Sequence, residues 1–300
     1  MRVLVIGLGK IAFKNDVRGS ELKWGKSHLG TLKHLASISK IDLQIVGIDP
    51  KEAARRDFAK MFVGSMAFPG LSPEIEKIRF DLTLITSPIE TLFDNQLFVY
   101  RNINSRYVIV EKPGVNSIEQ LFVARKEFYS WNYGVAFPRV FLPSFETLKK
   151  NIKNMNVIKN IFVNYSGTFL NTASHYINLI DFLLDGISLY ANMSGRDLQI
   201  ESKYGLSNIN FDQTFNHNRG DHELIVESDS IKVHHCESTR VSEVKTSSGI
   251  KVINHDDIEN MIGIEVQNYF EAINAGNPLS MSRYELAFFD LVTIKNPCKV

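Results

Sequence analysis

Four short runs near the start of the chain constrain its fold more than any other feature. Val3 to Ile6, LQIVGI (43–48), DLTLIT (81–86) and YVIVE (107–111) are apolar without alternating. Such strands must be covered on both faces, which is the situation of central strands in a parallel sheet. Between them lie helical patterns. HLGTLKHLASI (28–38) places Leu29, Leu32 and Leu35 three residues apart, and PKEAARRDFAKMF (50–62) and IETLFDNQLFVYRN (89–102) follow. SIEQLFVARKEFYSWN (117–132) opens with Ser117 and carries Gln120 three residues on, a capping-box pattern. Strand and helix alternating in this way predict a doubly wound parallel sheet.

The first run ends in VIGLGKIA, which reads Gly7-Leu8-Gly9-Lys10-Ile11-Ala12. In a dinucleotide-binding loop the first glycine makes the tight turn and the second lets a pyrophosphate approach the backbone. A small third residue, here Ala12, lets helix and strand pack closely. The acidic residue that holds the adenosine ribose usually follows about 20 residues on. Asp49, at the end of the second run, stands about twice that far from Gly7, so the polar stretch AFKNDVRGSELKWGKS (12–27) reads as an insertion. A carboxylate at Asp49 would accept ribose hydroxyls and repel a 2′-phosphate, which favours NAD. Lys51, Arg55 and Arg56 follow closely and would suit NADP, or form a solvated helix face.

After about residue 138 the rhythm changes. IKNIFVNYSGTF (158–169) reads as a strand and SHYINLIDFLL (174–184) as a helix. LQIES, LSNINFDQTF, HELIVES, SIKVHHCES and GIKVI then read as successive strands separated by polar and Gly turns. That half predicts an antiparallel sheet. IENMIGIEVQNYFEAINAG (258–276) returns to helix, with Gly276 placed as a C-cap, and a last helix opens at Ser282. The expected domains are 1–138 and 139–300.

The 300 residues hold 34 Lys and Arg against 33 Asp and Glu, a formal charge of +1. That balance offers no electrostatic case for nucleic acid or an anionic membrane. Cys236 and Cys298 are far apart, and no run of 18 apolar residues occurs, so the expectation is a reduced, cytoplasmic protein. His234, His235 and Cys236 are consecutive and cannot converge on one metal from a strand, so no metal is expected.

GLGKIA, Thr86-Ser87-Pro88, EKPG (111–114), RVFLP (139–143) and SHYINLIDFLL occur in the order found in the glucose–fructose oxidoreductase, inositol dehydrogenase and MocA family, which the chain resembles. The resemblance implies an N-terminal Rossmann domain and a C-terminal α/β domain with an open, mostly antiparallel sheet. It implies an active site between them, and a homo-oligomer, dimer or tetramer, formed through that sheet. The cofactor would be NAD, with NADP possible, held by Gly7, Gly9, Lys10, Ile11, Asp49, Thr86, Ser87, Pro88, Glu111 and Lys112. Lys112 would stand beside the nicotinamide and move the substrate's hydroxyl proton, a task a lysine near a cationic ring can perform. The alternative for Lys112 is an ion pair with Glu111 or another surface carboxylate.

The resemblance makes His175 the second proton-handling residue; the alternative is a core histidine. Asn171 and Asn178 stand where the family carries aspartates, and would orient substrate without holding a proton. Tyr165 would line the substrate pocket. The implied activity is hydride transfer between a nicotinamide and a polyol, sugar or sugar derivative, possibly nucleotide-linked. A non-catalytic sensor on the same fold, or a reductase of a non-sugar carbonyl or imine, are the competing readings. The two asparagines favour the sensor; Lys112 and His175 favour the enzyme.

Overall fold

The computed structural model describes residues 1–18, 21–22, 25–128, 132–166, 172–194, 197–213 and 222–279. Among the described residues the chain forms two compact units, one built from Met1–Pro138 together with Glu259–Leu279, the other from Arg139–Ile258.

The first unit begins with β1 (Arg2–Ile6), a small hairpin of β2 (Val17–Arg18) and β3 (Glu21–Leu22), and α1 (His28–Ile38). β4 (Gln44–Ile48), α2 (Glu52–Met61), β5 (Met66–Phe68) and α3 (Pro73–Glu76) follow. β6 (Arg79–Ile85), α4 (Ile89–Asn102), β7 (Asn104–Glu111), α5 (Ile118–Phe128) and β8 (Tyr133–Ala136) complete the series. Its six-stranded sheet has the order β5-β4-β1-β6-β7-β8, and each pair is parallel. Counted along the sheet strands alone this is 3-2-1-4-5-6, the Rossmann order. The two-faced apolar runs explain themselves here. Val3, Val5, Leu82, Leu84, Tyr107 and Ile109 join one core with Leu29 and Leu32 of α1. Leu4, Ile6, Phe80, Ile85, Val108 and Val110 join a second core with Leu92 and Val99 of α4.

The second unit holds α6 (Pro143–Ile152), β9 (Ile158–Tyr165), α7 (Ser174–Leu183) and seven further strands. These are β10 (Ser188–Ser194), β11 (Asp197–Ser202), β12 (Gly205–Gln213), β13 (Glu223–Ser228), β14 (Ile231–Cys236), β15 (Val241–Thr246) and β16 (Gly249–Asn254). They form an eight-stranded open sheet, β10-β11-β12-β9-β13-β14-β15-β16. β9 pairs in parallel with β12; every other pair is antiparallel. Period-2 alternation buries Val163, Leu224, Val226, Val233 and Val244.

α8 (Met261–Ala275) belongs to the first unit. Val266, Tyr269, Phe270 and Ile273 on one face of it enter the core that holds α1. The first unit runs to Pro138 and resumes at Glu259, so α8 lies outside the second unit although it falls within the expected domain 139–300. Gly276 caps α8 at φ 72°, as its placement predicts. Among the described residues no helix is long and apolar enough to cross a membrane. The predicted helix from Ser282 lies outside the described residues.

Candidate functional site

The insertion is spliced into the first helix. After Gly9 the chain makes one helical turn, with the amides of Phe13 and Lys14 bonded to the Gly9 carbonyl. It then leaves on an excursion and resumes as α1 at His28. The amides of His28 and Leu29 donate to the carbonyls of Ile11 and Ala12 at 3.1 and 2.8 Å, so the two pieces share one set of helix bonds. Buried Asp16 holds the excursion, accepting from the Lys26 amide at 3.0 Å and from the Ser27 hydroxyl. Ser27 in turn caps α1 through the Gly30 amide. Gly25 meets α8: its carbonyl accepts from the Gly263 amide at 3.0 Å, and a Cβ on Gly263 would lie 2.8 Å from the Gly25 Cα. A side chain at Gly263 would therefore push the excursion off the helix.

A cleft of about 680 Å³ opens where the strand order reverses, between the ends of β1 and β6. Open α/β sheets bind ligands at this place. Gly7, Gly9, Lys10, Asp49, Thr86, Ser87 and Pro88 all line it. Gly7 sits at φ 95°, and a Cβ there would lie 2.7 Å from the Thr86 carbonyl and the Ser87 amide, so only glycine fits. The Thr86 hydroxyl binds the Gly7 carbonyl at 2.6 Å and ties the two strand ends together. Gly9 is different: nothing lies within 4 Å of its virtual Cβ. Its missing side chain leaves room in the cleft, which fits the close approach of a diphosphate.

Asp49 does more than the sequence suggested. Oδ2 accepts from the Leu8 amide at 2.9 Å and Oδ1 from the Lys51 amide at 2.8 Å, so the carboxylate ties the glycine loop to the end of β4. Each oxygen keeps a further acceptor site for a ribose hydroxyl. Arg55 turns back onto the carbonyls of Asp49 and Pro50, and Arg56 makes a loose, exposed pair with Glu52. Of the three basic candidates only Lys51 lines the cleft. Lys14, from the excursion, lines it as well and is paired with Asp57 at 2.8 Å.

Glu111 ends β7 and Lys112 follows it in a turn, both outside the lining of this cleft. Glu111 Oε1 lies 2.9 Å from His28 Nε2. His28 Nδ1 lies 3.2 Å from the Tyr269 hydroxyl, and the two rings stack at 6.2 Å. His28, Tyr269 and, one turn before Tyr269 on α8, Glu265 are all buried. Burial raises the Glu265 carboxyl well above the usual carboxylate range, and the negative Glu111 raises it further; the Phe137 amide opposes them. Burial likewise raises Tyr269. Sequence reasoning passed over this cluster. Its one signal was a carboxylate, Glu265, inside the apolar stripe of a helix.

The second unit holds the other candidates. His175 and Asn178 lie on α7, where Asn178 is buried. Tyr165, on β9, is also buried and meets Phe211 edge-on at 6.4 Å. Asn171 lies outside the described residues. Arg139, of the RVFLP segment, is buried and donates to Glu237 at 2.5 Å, and the Tyr176 hydroxyl donates to the other Glu237 oxygen at 2.5 Å. Burial alone would raise Glu237, but the guanidinium and the hydroxyl outweigh it and hold the carboxyl at about 2.

No protein-family model matches the chain, and no curated protein matches it. Solved structures do. A levoglucosan dehydrogenase in complex with NADH superposes with a TM-score of 0.74 at 14% identity, over 98% of this chain and 96% of that one. An oxidoreductase from Agrobacterium radiobacter, in complex with NAD+, L-tartaric acid and magnesium, gives 0.69 at 10% identity, over 97% and 94%. A myo-inositol dehydrogenase from Corynebacterium glutamicum gives 0.65 at 17% identity, over 98% and 94%. The chain therefore has the two-part fold of these dehydrogenases: a Rossmann unit followed by an α/β unit with an open sheet.

Proposed function

We propose that the protein is a nicotinamide-dependent oxidoreductase that interconverts an alcohol and a carbonyl on a polyol, sugar or sugar derivative. The observation that carries this reading is the cleft at the reversal of strand order, with Gly7 forced by its neighbours and Gly9 open to a ligand. NADH and NAD+ are bound by two of the proteins that share the fold. In this chain Gly7, Gly9 and Lys10 would hold the diphosphate, and Asp49 the adenosine ribose, which favours NAD. Thr86, Ser87 and Pro88 would line the path towards the nicotinamide. The bound nicotinamide supplies hydride exchange at carbon.

The chain's own part is proton handling. In the oxidising direction the Lys112 amine takes the hydroxyl proton as the C–H bond breaks; in the reducing direction its ammonium returns the proton to the carbonyl oxygen. The same reading gives His175, in the second unit, a share in this task, with Asn178 orienting substrate hydroxyls. A nicotinamide absorbance screen against polyols, sugars and nucleotide sugars tests the reading. On the substrate so found, Lys112→Ala is expected to lower turnover by roughly 10²–10⁴ with cofactor affinity little changed. Unchanged turnover would remove Lys112 from the chemistry.

A further inference from the structure

The sequence points to Arg55 and Arg56 as partners for a 2′-phosphate, but the fold uses both elsewhere. Arg55 binds the carbonyls of Asp49 and Pro50, and Arg56 pairs with Glu52. Another cation does line the cleft. Lys14 stands where the first helix breaks off after one turn and the excursion begins. Phe13 fixes that turn. Its ring is fully buried and meets Phe58 of α2 and Phe62 just beyond it edge-on, at 6.0 and 5.8 Å. With Phe13 anchored in the core, Lys14 stays at the surface and lines the cleft together with Lys10 and Lys51. Its amine donates to Asp57 Oδ2 at 2.8 Å. Asp57 lies on α2 three residues beyond Ala54, which lines the same cleft, and three residues are about 4.5 Å of helix. The Lys14 amine is thus bound beside the wall of the cleft that begins at Asp49. The bond from Lys14, and then its charge, hold the Asp57 carboxyl below its ordinary value, so the pair is ionised at neutral pH.

A 2′-phosphate on the ribose held by Asp49 would bring roughly two negative charges to this place. Asp49 repels them. Lys14 can answer them, because a lysine carries its charge on a flexible four-carbon stem. While Asp57 holds Lys14, that charge is neutralised. We propose that Lys14 and Asp57 together set the choice between NAD and NADP: Asp57 withholds the Lys14 ammonium from the 2′-phosphate, and release of Lys14 supplies the affinity that NADP has. This rests on the reading of the cleft as a nicotinamide dinucleotide site.

The experiment is calorimetric titration of the full chain with NAD and NADP at about 0.15 M salt, in the parent, Lys14→Met, Asp57→Asn and the double variant. The two side chains are 34% and 51% exposed, so the variants are expected to melt like the parent. Lys14→Met is expected to weaken NADP roughly tenfold, the loss of one charge-assisted contact to phosphate, and to change NAD by about twofold or less. Asp57→Asn frees the ammonium and is expected to tighten NADP roughly threefold, as release from one exposed ion pair allows. In the double variant the gain disappears, and NADP binds as it does to Lys14→Met. Adenosine 2′,5′-bisphosphate is expected to follow NADP and 5′-AMP to follow NAD, because the two probes differ only in the 2′-phosphate.

A ratio of NAD to NADP affinity unmoved in Lys14→Met and Asp57→Asn overturns the proposal and leaves the oxidoreductase reading intact. Equal weakening of NAD and NADP in Lys14→Met also overturns it, and puts the lysine on the diphosphate. So does a gain from Asp57→Asn that survives in the double variant, since the effect then does not pass through Lys14. Failure of the oxidoreductase reading looks different: the parent binds neither dinucleotide, and the proposal falls with it.

Discussion

Two glycines two residues apart do opposite work. Gly7 is required by protein atoms that a Cβ would strike, whereas Gly9 borders open space. Gly9→Val should therefore fold and melt like the parent while filling the cleft. Calorimetry is expected to show the parent binding NAD more tightly than NADP and the variant binding neither. A variant that binds either nucleotide as tightly as the parent does would mean that the loop does not receive a diphosphate. Asp49 teaches a related lesson. Its sequence position suggested a ribose ligand, and its two backbone bonds show a second duty that no sequence pattern encodes, because Leu8 reaches it only once the sheet has formed.

At the level of the element, α8 carries an acid where apolar packing is the rule. Glu265 has its folded pKa raised above the unfolded value of 4.5. Its neutral form is tolerated fully below that value. As pH rises above it, the unfolded chain ionises while the folded chain does not, and stability is lost, by at most about 1.4 kcal/mol per pH unit. Glu265→Gln should then match the parent near pH 4 and become progressively more stable than it from pH 5 to 8 in urea unfolding. A constant difference across that range would show that the carboxyl is not held neutral. Elements with strong periodicity were legible: α1 and α4 fall on residues 28–38 and 89–102, where Leu29, Leu32, Leu92 and Val99 mark the buried sides. β15 was not, because VSEVKT buries only Ser242 and Val244 and carries Glu243 and Lys245 on its other face. β8 is too short to stand out, and α6 begins directly after a one-turn helix at Pro138–Phe141. The Glu111–His28–Tyr269 contacts escaped for a deeper reason: His28 and Tyr269 are 241 residues apart and meet only in the folded core.

For the whole molecule, Glu265 in the first unit and His235 in the second are shifted in opposite directions by the same cause, burial. In the second unit His235 is fully buried; burial first, and neighbouring His255 next, press its pKa to about 3. A depressed histidine contributes stability above its unfolded value of 6.5 and loses it as pH falls towards 3. Its Nδ1 meets Ser242, which meets His255, which meets Ser144 at the start of α6, so protonation strikes a continuous buried chain. Scanning calorimetry is expected to show the second unit melting earlier as pH drops from 6.5 to 4, and His235→Gln to flatten that dependence. A transition that ignores pH in that range would refute the assignment.

The return of α8 to the first unit also has a consequence for how the protein is made. In sequence, residues 139–258 interrupt the first unit. At ~5–20 residues per second a ribosome needs roughly 6–25 s to produce that stretch. Throughout that interval the first unit lacks Val266, Tyr269, Phe270 and Ile273, the side chains that close its core beside α1. The nascent first unit therefore waits with an open apolar flank.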